Sequence, residues 1–156
     1  LAKDLVRVEV DGVLYAFEVA QVREIVNPLS LIELPRERAF VRGVSEYRDE
    51  VVAVVDLRRL FGIDSMEPTR RTKWIVLETA GRLVGVIVDS VVDVFSSEED
   101  QQRDVPVLDQ RQRERGITHA YRYNGELVFL LDAARVARPA MQLSVERLSM
   151  MPSEAP

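Results

Sequence analysis

From Leu5 to Val10 apolar and polar residues alternate strictly, which puts Val6, Val8 and Val10 on one face of a strand whose other face meets water. Asp11-Gly12 supplies a hairpin turn and Leu14 to Glu18 the return strand. The period then changes: Val19, Val22, Ile25 and Val26 recur at helical spacing until Asn27-Pro28 stops the segment. Leu31 to Leu34 resumes an extended path, Pro35 breaks it, and Glu37 to Val41 has the length of one helical turn ahead of Gly43. Val51 to Val55 is wholly apolar and rich in β-branched residues, so it reads as a strand covered on both faces, entered through the polar turn Tyr47-Arg48-Asp49-Glu50. Asp56 stands where a carboxylate accepts hydrogen bonds from the free amides that open a helix, here predicted over Leu57 to Phe61, with Gly62 as its stop.

Asp64 to Lys73, with Pro68 and Arg70-Arg71, carries neither period and marks a boundary near residue 68. Beyond it, Trp74 to Glu78, the turn Ala80-Gly81 and Leu83 to Val88 form another hairpin, and Val91, Val92, Val94 and Phe95 continue the core. Ser96 to Arg115 is charged and unpatterned apart from Val105 to Leu108, and reads as a long surface loop. Gly116 to Tyr123 and Leu127 to Leu131 meet at Asn124-Gly125, a strong hairpin signal. Asp132 then caps a short helix ending by Pro139, and Met141, Val145 and Leu148 line one side of a candidate closing helix.

The two halves can be laid on each other. Gly12 to Phe17, leading to Val19, Val22, Glu24 and Ile25, matches Gly81 to Val86, leading to Val88, Val91, Asp93 and Val94, at a constant offset. Tyr47 to Glu50 with its apolar run, Asp56 and Arg59 matches Tyr123 to Glu126 with Leu127 to Leu131, Asp132 and Arg135. Several matches in one order argue for two similar units of short strands, each a small β-barrel. A unit of about 60 residues is marginal alone, so the two pack together, and their seam is expected to be an apolar groove suited to binding.

Composition changes this picture by exclusion. In 156 residues, 47% hydrophobic and 30% charged, the chain is globular, and its apolar runs are too short to cross a bilayer. It begins with Leu1 rather than Met, which leaves open that residues precede it. It has no cysteine, so disulfides and thiolate chemistry are out, and a net charge of -5 disfavours nucleic acid as partner. His119 is the sole histidine and has no triad or metal pattern around it; Asp56 and Asp132 are better read as paired helix caps than as catalytic acids. Asp89 ends a strand, Glu98-Glu99-Asp100 is an acidic turn, and Arg111, Arg113 and Arg115 form a wet loop. No catalytic residue, metal site or cofactor is expected, and proteins are the expected partners.

With a duplicated small barrel in hand, the residues resemble a known family. Tyr15 to Phe17, Val22-Arg23-Glu24-Ile25, Leu34-Pro35, Phe40 to Val44, Arg48, Val54 to Arg58, Val84 to Asp89 and Leu130-Leu131-Asp132 are similar, in order and spacing, to the CheW-like chemotaxis adaptors from about Leu5 to Val136. The resemblance implies a mainly β fold of two tandem SH3-like five-stranded β-barrels, with short helices and a C-terminal helix. The first barrel would span about 12–67 and the second about 72–138, with strand 3–11 a candidate to join the second and 139–156 as a tail. It implies a cytoplasmic, non-enzymatic scaffold without cofactor or membrane insertion, recruited to receptor arrays, that couples the cytoplasmic tip of a chemoreceptor to the regulatory domain of a CheA-type histidine kinase. Carried over by position, receptor binding falls on Val22, Glu24, Gly43 and Arg48, and kinase binding on Val84, Val86 and Leu127.

The bland readings differ in weight. Val22 and Ile25 serve equally well as core, Gly43 as a special backbone position and Glu24 as an ordinary surface acid, whereas an exposed turn gains nothing structural from Arg48. The family pattern carries an asparagine, an Arg-Gly pair and a proline where this chain has Glu46, Arg48-Asp49 and Ala53. The added carboxylates alter the field around Arg48. They point either to a specialised adaptor that binds the receptor alone or the kinase alone, or to a receptor with a basic complement.

Overall fold

The computed structural model describes residues 2–38, 40–98, 102–103 and 115–141. The elements are β1 (Lys3–Val10), β2 (Val13–Glu18), a 3-10 turn at Val19–Gln21, β3 (Val22–Val26), β4 (Ile32–Arg38), β5 (Val41–Tyr47), β6 (Glu50–Asp56), α1 (Leu57–Leu60), β7 (Lys73–Thr79), β8 (Arg82–Val88), β9 (Ser90–Ser97), β10 (Gln102–Arg103), β11 (Ile117–Tyr123), β12 (Glu126–Leu131) and α2 (Ala133–Met141). They form two six-stranded sheets, in the orders β3-β7-β8-β6-β5-β4 and β9-β1-β2-β12-β11-β10. Each sheet has six strands, edged by β3 and β4 in one and by β9 and β10 in the other, in keeping with the expected pair of SH3-like units.

The repeat read from the sequence extends to individual hydrogen-bonded pairs. The parallel junction of each sheet has the same register, Val54 beside Gly85 in one and Leu130 beside Ala16 in the other. A bulge falls between Val22 and Glu24 on β3 and at the matching place on its counterpart pair, between Arg7 and Val8. Both helices open alike: the Asp56 amide donates to the Phe40 carbonyl at 3.0 Å and the Asp132 amide to that of Gly116 at 2.8 Å. Each aspartate then accepts from the amide two residues on, Asp56 from Arg58 and Asp132 from Ala134, both at 3.0 Å. The reading of these two acids as caps holds.

What the repeat does not reveal is where its parts go. Hairpin β1–β2, at the start of the first half, sits in the sheet of β9 to β12, and hairpin β7–β8, at the start of the second, sits in the sheet of β3 to β6. The halves have exchanged their leading hairpins. Each sheet therefore draws strands from both halves of the chain, and β1 pairs with β9 of the second half as well as with β2.

Three apolar clusters follow from this arrangement. The largest lies between the sheets and takes Val6, Val8, Tyr15 and Phe17 from one, Val55, Ile75, Leu77, Val84 and Val86 from the other, and residues of both helices. Each sheet also curls over a smaller core of its own, Leu5, Phe95, Tyr121, Val128 and Leu130 on one side and Tyr47, Val52 and Val76 on the other. The seam is filled rather than open.

Several local expectations change. The segment at Val19 to Val26 is a 3-10 turn and a strand, not a helix, because the bulge at Val22/Glu24 lets Val22 and Ile25 face the same core despite their spacing. Glu37 to Val41 makes no helical turn: β4 runs through Pro35 to Arg38, an edge position where a missing amide donor is tolerated. The second face of β1 is not wet, since β1 lies between β2 and β9 and buries Leu5 and Arg7 beneath the curled sheet. Val51 is exposed, as are Val92 and Val94 on edge strand β9, so those runs are covered only in part. Within the stretch read as a loop from Ser96 to Arg115, Ser96 and Ser97 belong to β9 and Gln102–Arg103 pairs with β11; Val105 to Leu108 lies outside the described residues. Helix α2 passes Pro139 and reaches Met141, and the expected closing helix beyond it lies outside the described residues.

Fragments 1–68 and 69–156 each lack two inner strands of the sheet they would build. Each is expected to be unfolded alone by circular dichroism, and the mixed pair to regain dispersed amide NMR signals; a fragment that folds unaided would show that the exchange is dispensable.

Candidate protein-interaction site

Four two-residue hairpins turn through positive φ: Asp11-Gly12, Ala80-Gly81, Asn124-Gly125 and Arg48-Asp49. Such turns favour glycine because a Cβ is crowded there, at roughly 1–2 kcal/mol per residue for ordinary side chains. Three of the four place glycine second; the fourth holds Arg48 at φ 48° and Asp49 at φ 65° with no glycine at all. Strand pairing alone does not require those side chains.

Arg48 leans across the end of its sheet onto β3. Its Nη2 and Nε donate to Glu24 Oε1 at 2.9 and 3.1 Å, and its guanidinium lies 5.5 Å from the centre of the Tyr47 ring. The Tyr47 hydroxyl donates to the same Glu24 oxygen. The hydroxyl of Tyr47 and then the guanidinium of Arg48 lower the pKa of the Glu24 carboxyl from its ordinary value. The pair is open to water, Arg48 at 71% and Glu24 at 35% side-chain exposure. An ion pair so placed contributes little to stability.

The other sheet supplies an internal control. At the positions matching Glu24 and Tyr47 stand Asp93 and Tyr123, and they too hold an arginine. That arginine is Arg7, from strand β1, with a side chain only 8% exposed. It binds Asp93 bidentately at 3.0 and 2.8 Å and lies 5.3 Å from the Tyr123 ring centre. Val76, buried beneath Tyr47, takes the matching place in the first sheet. The two sets differ in their arginine: Arg7 is built into a core, whereas Arg48 stands on an exposed turn, and the acids are alike in exposure, Asp93 at 39% and Glu24 at 35%.

The remaining expected residues divide. Val22 is half-buried against the central core. Gly43 has an ordinary strand backbone; a Cβ there would collide with the Ile32 carbonyl oxygen and crowd backbone of β4, so glycine is needed for strand approach rather than for an unusual angle. Val84 and Val86, the expected kinase contacts, are at 2% and 0% exposure and belong to the central core. Leu127, at 45%, does present a surface, with exposed Val13 on neighbouring β2.

Elsewhere, Arg58 on α1 binds Asp89 through two hydrogen bonds of 2.8 and 2.7 Å, and Asp89 accepts from the Asp11 amide at 2.8 Å. Burial pushes the Asp89 carboxyl up, but these bonds outweigh it and leave it below its ordinary value. This network tethers the turn of the exchanged hairpin β1–β2 to α1 and to the end of β8, a strand of the opposite sheet. Its signal in the sequence was an acid at the end of β8, and its partner, 31 positions earlier, could not be read from spacing.

Two curled sheets fused across a common core, with exposed residues gathered at their turn ends, define a double SH3-like binding module. The scaffolding protein TtCheW from Thermoanaerobacter tengcongensis has the same fold, at a TM-score of 0.77 and 22% identity over 85% of this chain and 90% of that one. The CheW-like domain model matches residues 4–140, and the chain belongs to that family of chemotaxis adaptors. It is 28% identical over 129 residues to the chemotaxis protein CheW of Thermotoga maritima, covering 82% of this chain and 83% of that protein. It is 32% identical over 92 residues to CheW of Klebsiella aerogenes, covering 59% of this chain and spanning only 55% of that protein's length. Among the described residues no helix is long and apolar enough to cross a membrane.

The two arginines should separate stability from surface chemistry. Arg7→Ala strips a carboxylate and a tyrosine of a nearly buried partner and is expected to cost about 1–3 kcal/mol in urea unfolding, whereas Arg48→Ala should leave the unfolding midpoint unchanged. Asp49→Gly, which relieves one crowded positive φ, is expected to raise stability by about 1 kcal/mol in the same measurement.

Proposed function

We propose that this chain is a non-enzymatic adaptor that holds the cytoplasmic tip of a chemoreceptor against the regulatory domain of a CheA-type histidine kinase in two-component signalling. Family membership supports the scaffold role. The observation that carries the receptor side is the exposed Arg48, paired with Glu24 and kept at some cost in backbone strain where the counterpart arginine, Arg7, is buried and structural. In this reading Arg48 and Glu24 meet the receptor, while Val22 and Gly43 fix the geometry of β3 and of the β4–β5 edge beneath them. Leu127, exposed beside Val13 on the second sheet, is the kinase-facing candidate. Moderate contacts at two separate surfaces would sum through their common scaffold. The chain would act in the cytoplasm, within receptor arrays.

A second reading is that the chain binds only one of the two partners, and a specific observation favours it. Glu46, Asp49 and Glu50 stand exposed around Arg48 and give the turn a field unlike that of a lone arginine.

Pull-down of the cognate receptor cytoplasmic fragment and kinase tests both. Arg48→Glu is expected to abolish receptor capture and leave kinase capture intact, and Leu127→Asp to do the reverse. Capture of neither partner by the unaltered chain sinks the adaptor reading; capture of one alone establishes the second.

A further inference from the structure

At its outer end the first sheet carries two apolar side chains, Ile32 and Val51, that nothing in the described residues covers. Cross-strand register places Ile32, Val44 and Ala53 in one row and Glu46 and Val51 in the next, on the same side. Ile32 is 63% exposed and Val51 52%. Val44, at 8%, and Ala53, packed against the central core, lie between them, so the strip offers two exposed apolar anchors on one face.

Charge selects the partner. Glu24, Glu46, Asp49, Glu50 and Glu78 stand at this end of the sheet against Arg23, Arg48 and Arg82. Arg23 is bound to Glu78 at 2.7 Å and Arg48 to Glu24 at 2.9 Å, and Arg82 reaches the Met141 carbonyl at 3.5 Å. Glu46, Asp49 and Glu50 have no cationic partner among the described residues. Glu46 flanks Val51 directly as its cross-strand neighbour on the same face, Asp49 stands in the adjoining turn, and Glu50 points to the opposite face beside Tyr47. The matching pair on the second sheet is Arg122 beside Leu127, so the negative sign belongs to this face and not to the fold.

We infer that this strip docks a segment of a partner protein in which lysine or arginine side chains surround aliphatic anchors, the anchors covering Ile32 and Val51 and the cations meeting Glu46 and Asp49. A second copy of the chain, at net charge -5, is disfavoured by like charge. The chain's own residues 142–156 are poorly matched, since Glu146 and Glu154 outnumber Arg147. In naming the partner as the receptor, the inference rests on the function proposed above; its chemistry does not.

The test uses the full chain and two labelled helical peptides of about 18 residues, with leucine at i, i+3 and i+4 and either lysine or glutamate elsewhere. Fluorescence anisotropy should show binding of the lysine peptide alone, weakening as salt rises from about 50 to about 300 mM. Glu46→Lys with Asp49→Lys, and separately Val51→Ser, should each weaken it by roughly tenfold, while Glu67→Lys, beyond the far end of β6, should not. Amide shift changes should centre on Ile32, Glu46 and Val51. Equal binding of both peptides, or equal loss with Glu67→Lys, overturns the inference. Shift changes at Ile32 and Val51 on removing residues 142–156, without peptide binding, assign the strip to the tail and overturn it as well. Receptor fragments that bind regardless of salt and of the Glu46/Asp49 reversal also overturn it, yet leave the receptor reading standing. Lysine-peptide binding with no receptor capture does the opposite, upholding the surface and removing the receptor.

Discussion

The structure depends on one exchange: each half of the chain lends its leading hairpin to the other half's sheet. The parallel contacts β6–β8 and β12–β2 are the joints where lent and native strands meet, and they share one register. Because Val54 must sit beside Gly85 and Leu130 beside Ala16, each sheet can form its full hydrogen-bond ladder only when both halves are present. Small barrels are marginal alone, and here the surface that would have been an interface between two of them has become the largest core. The helices obey the same logic, since Phe61 at the end of α1 packs on Tyr15 of the opposite sheet at 4.8 Å between ring centres.

A filled seam relocates function. A groove between two barrels would bring apolar residues such as Val84 and Val86 to a ligand, but those side chains are consumed in joining the sheets. What remains accessible is at the sheet ends and outer edges, where turns and edge strands carry side chains that the core does not use. Duplication makes the difference visible. Arg7 and Arg48 do similar chemistry with an acid and a tyrosine, one under the sheet and one above water, and only the second has side chains to spare for another molecule.

The Arg48-Asp49 turn is where local backbone preference and side-chain chemistry disagree. Elsewhere the chain resolves the same geometry with glycine. Keeping an arginine and an aspartate there leaves the hairpin formed but less relaxed, a cost of the size that surface function commonly sustains and that a core would not. The flanking acids Glu46 and Asp49 then turn the exposed anchors Ile32 and Val51 from a generic sticky edge into a selective one.

Much of this was legible in the residues alone. Turn pairs such as Asn124-Gly125, the cap positions of Asp56 and Asp132, and the repeat linking Glu24 to Asp93 are local in origin, because a turn angle or a free helix amide constrains only its immediate neighbours. The exposed Arg48 was legible too, since a turn needs no arginine. The strand at Val22 to Val26 was not, because a bulge breaks the period from which strands are read. Nor were the lent hairpins, the buried role of Val84 and Val86, the clash that reserves position 43 for glycine, or the pairing of Arg7 with Asp93. Each of these depends on which distant strand lies alongside, and two hairpins of equal pattern fit either sheet until the common core assigns them.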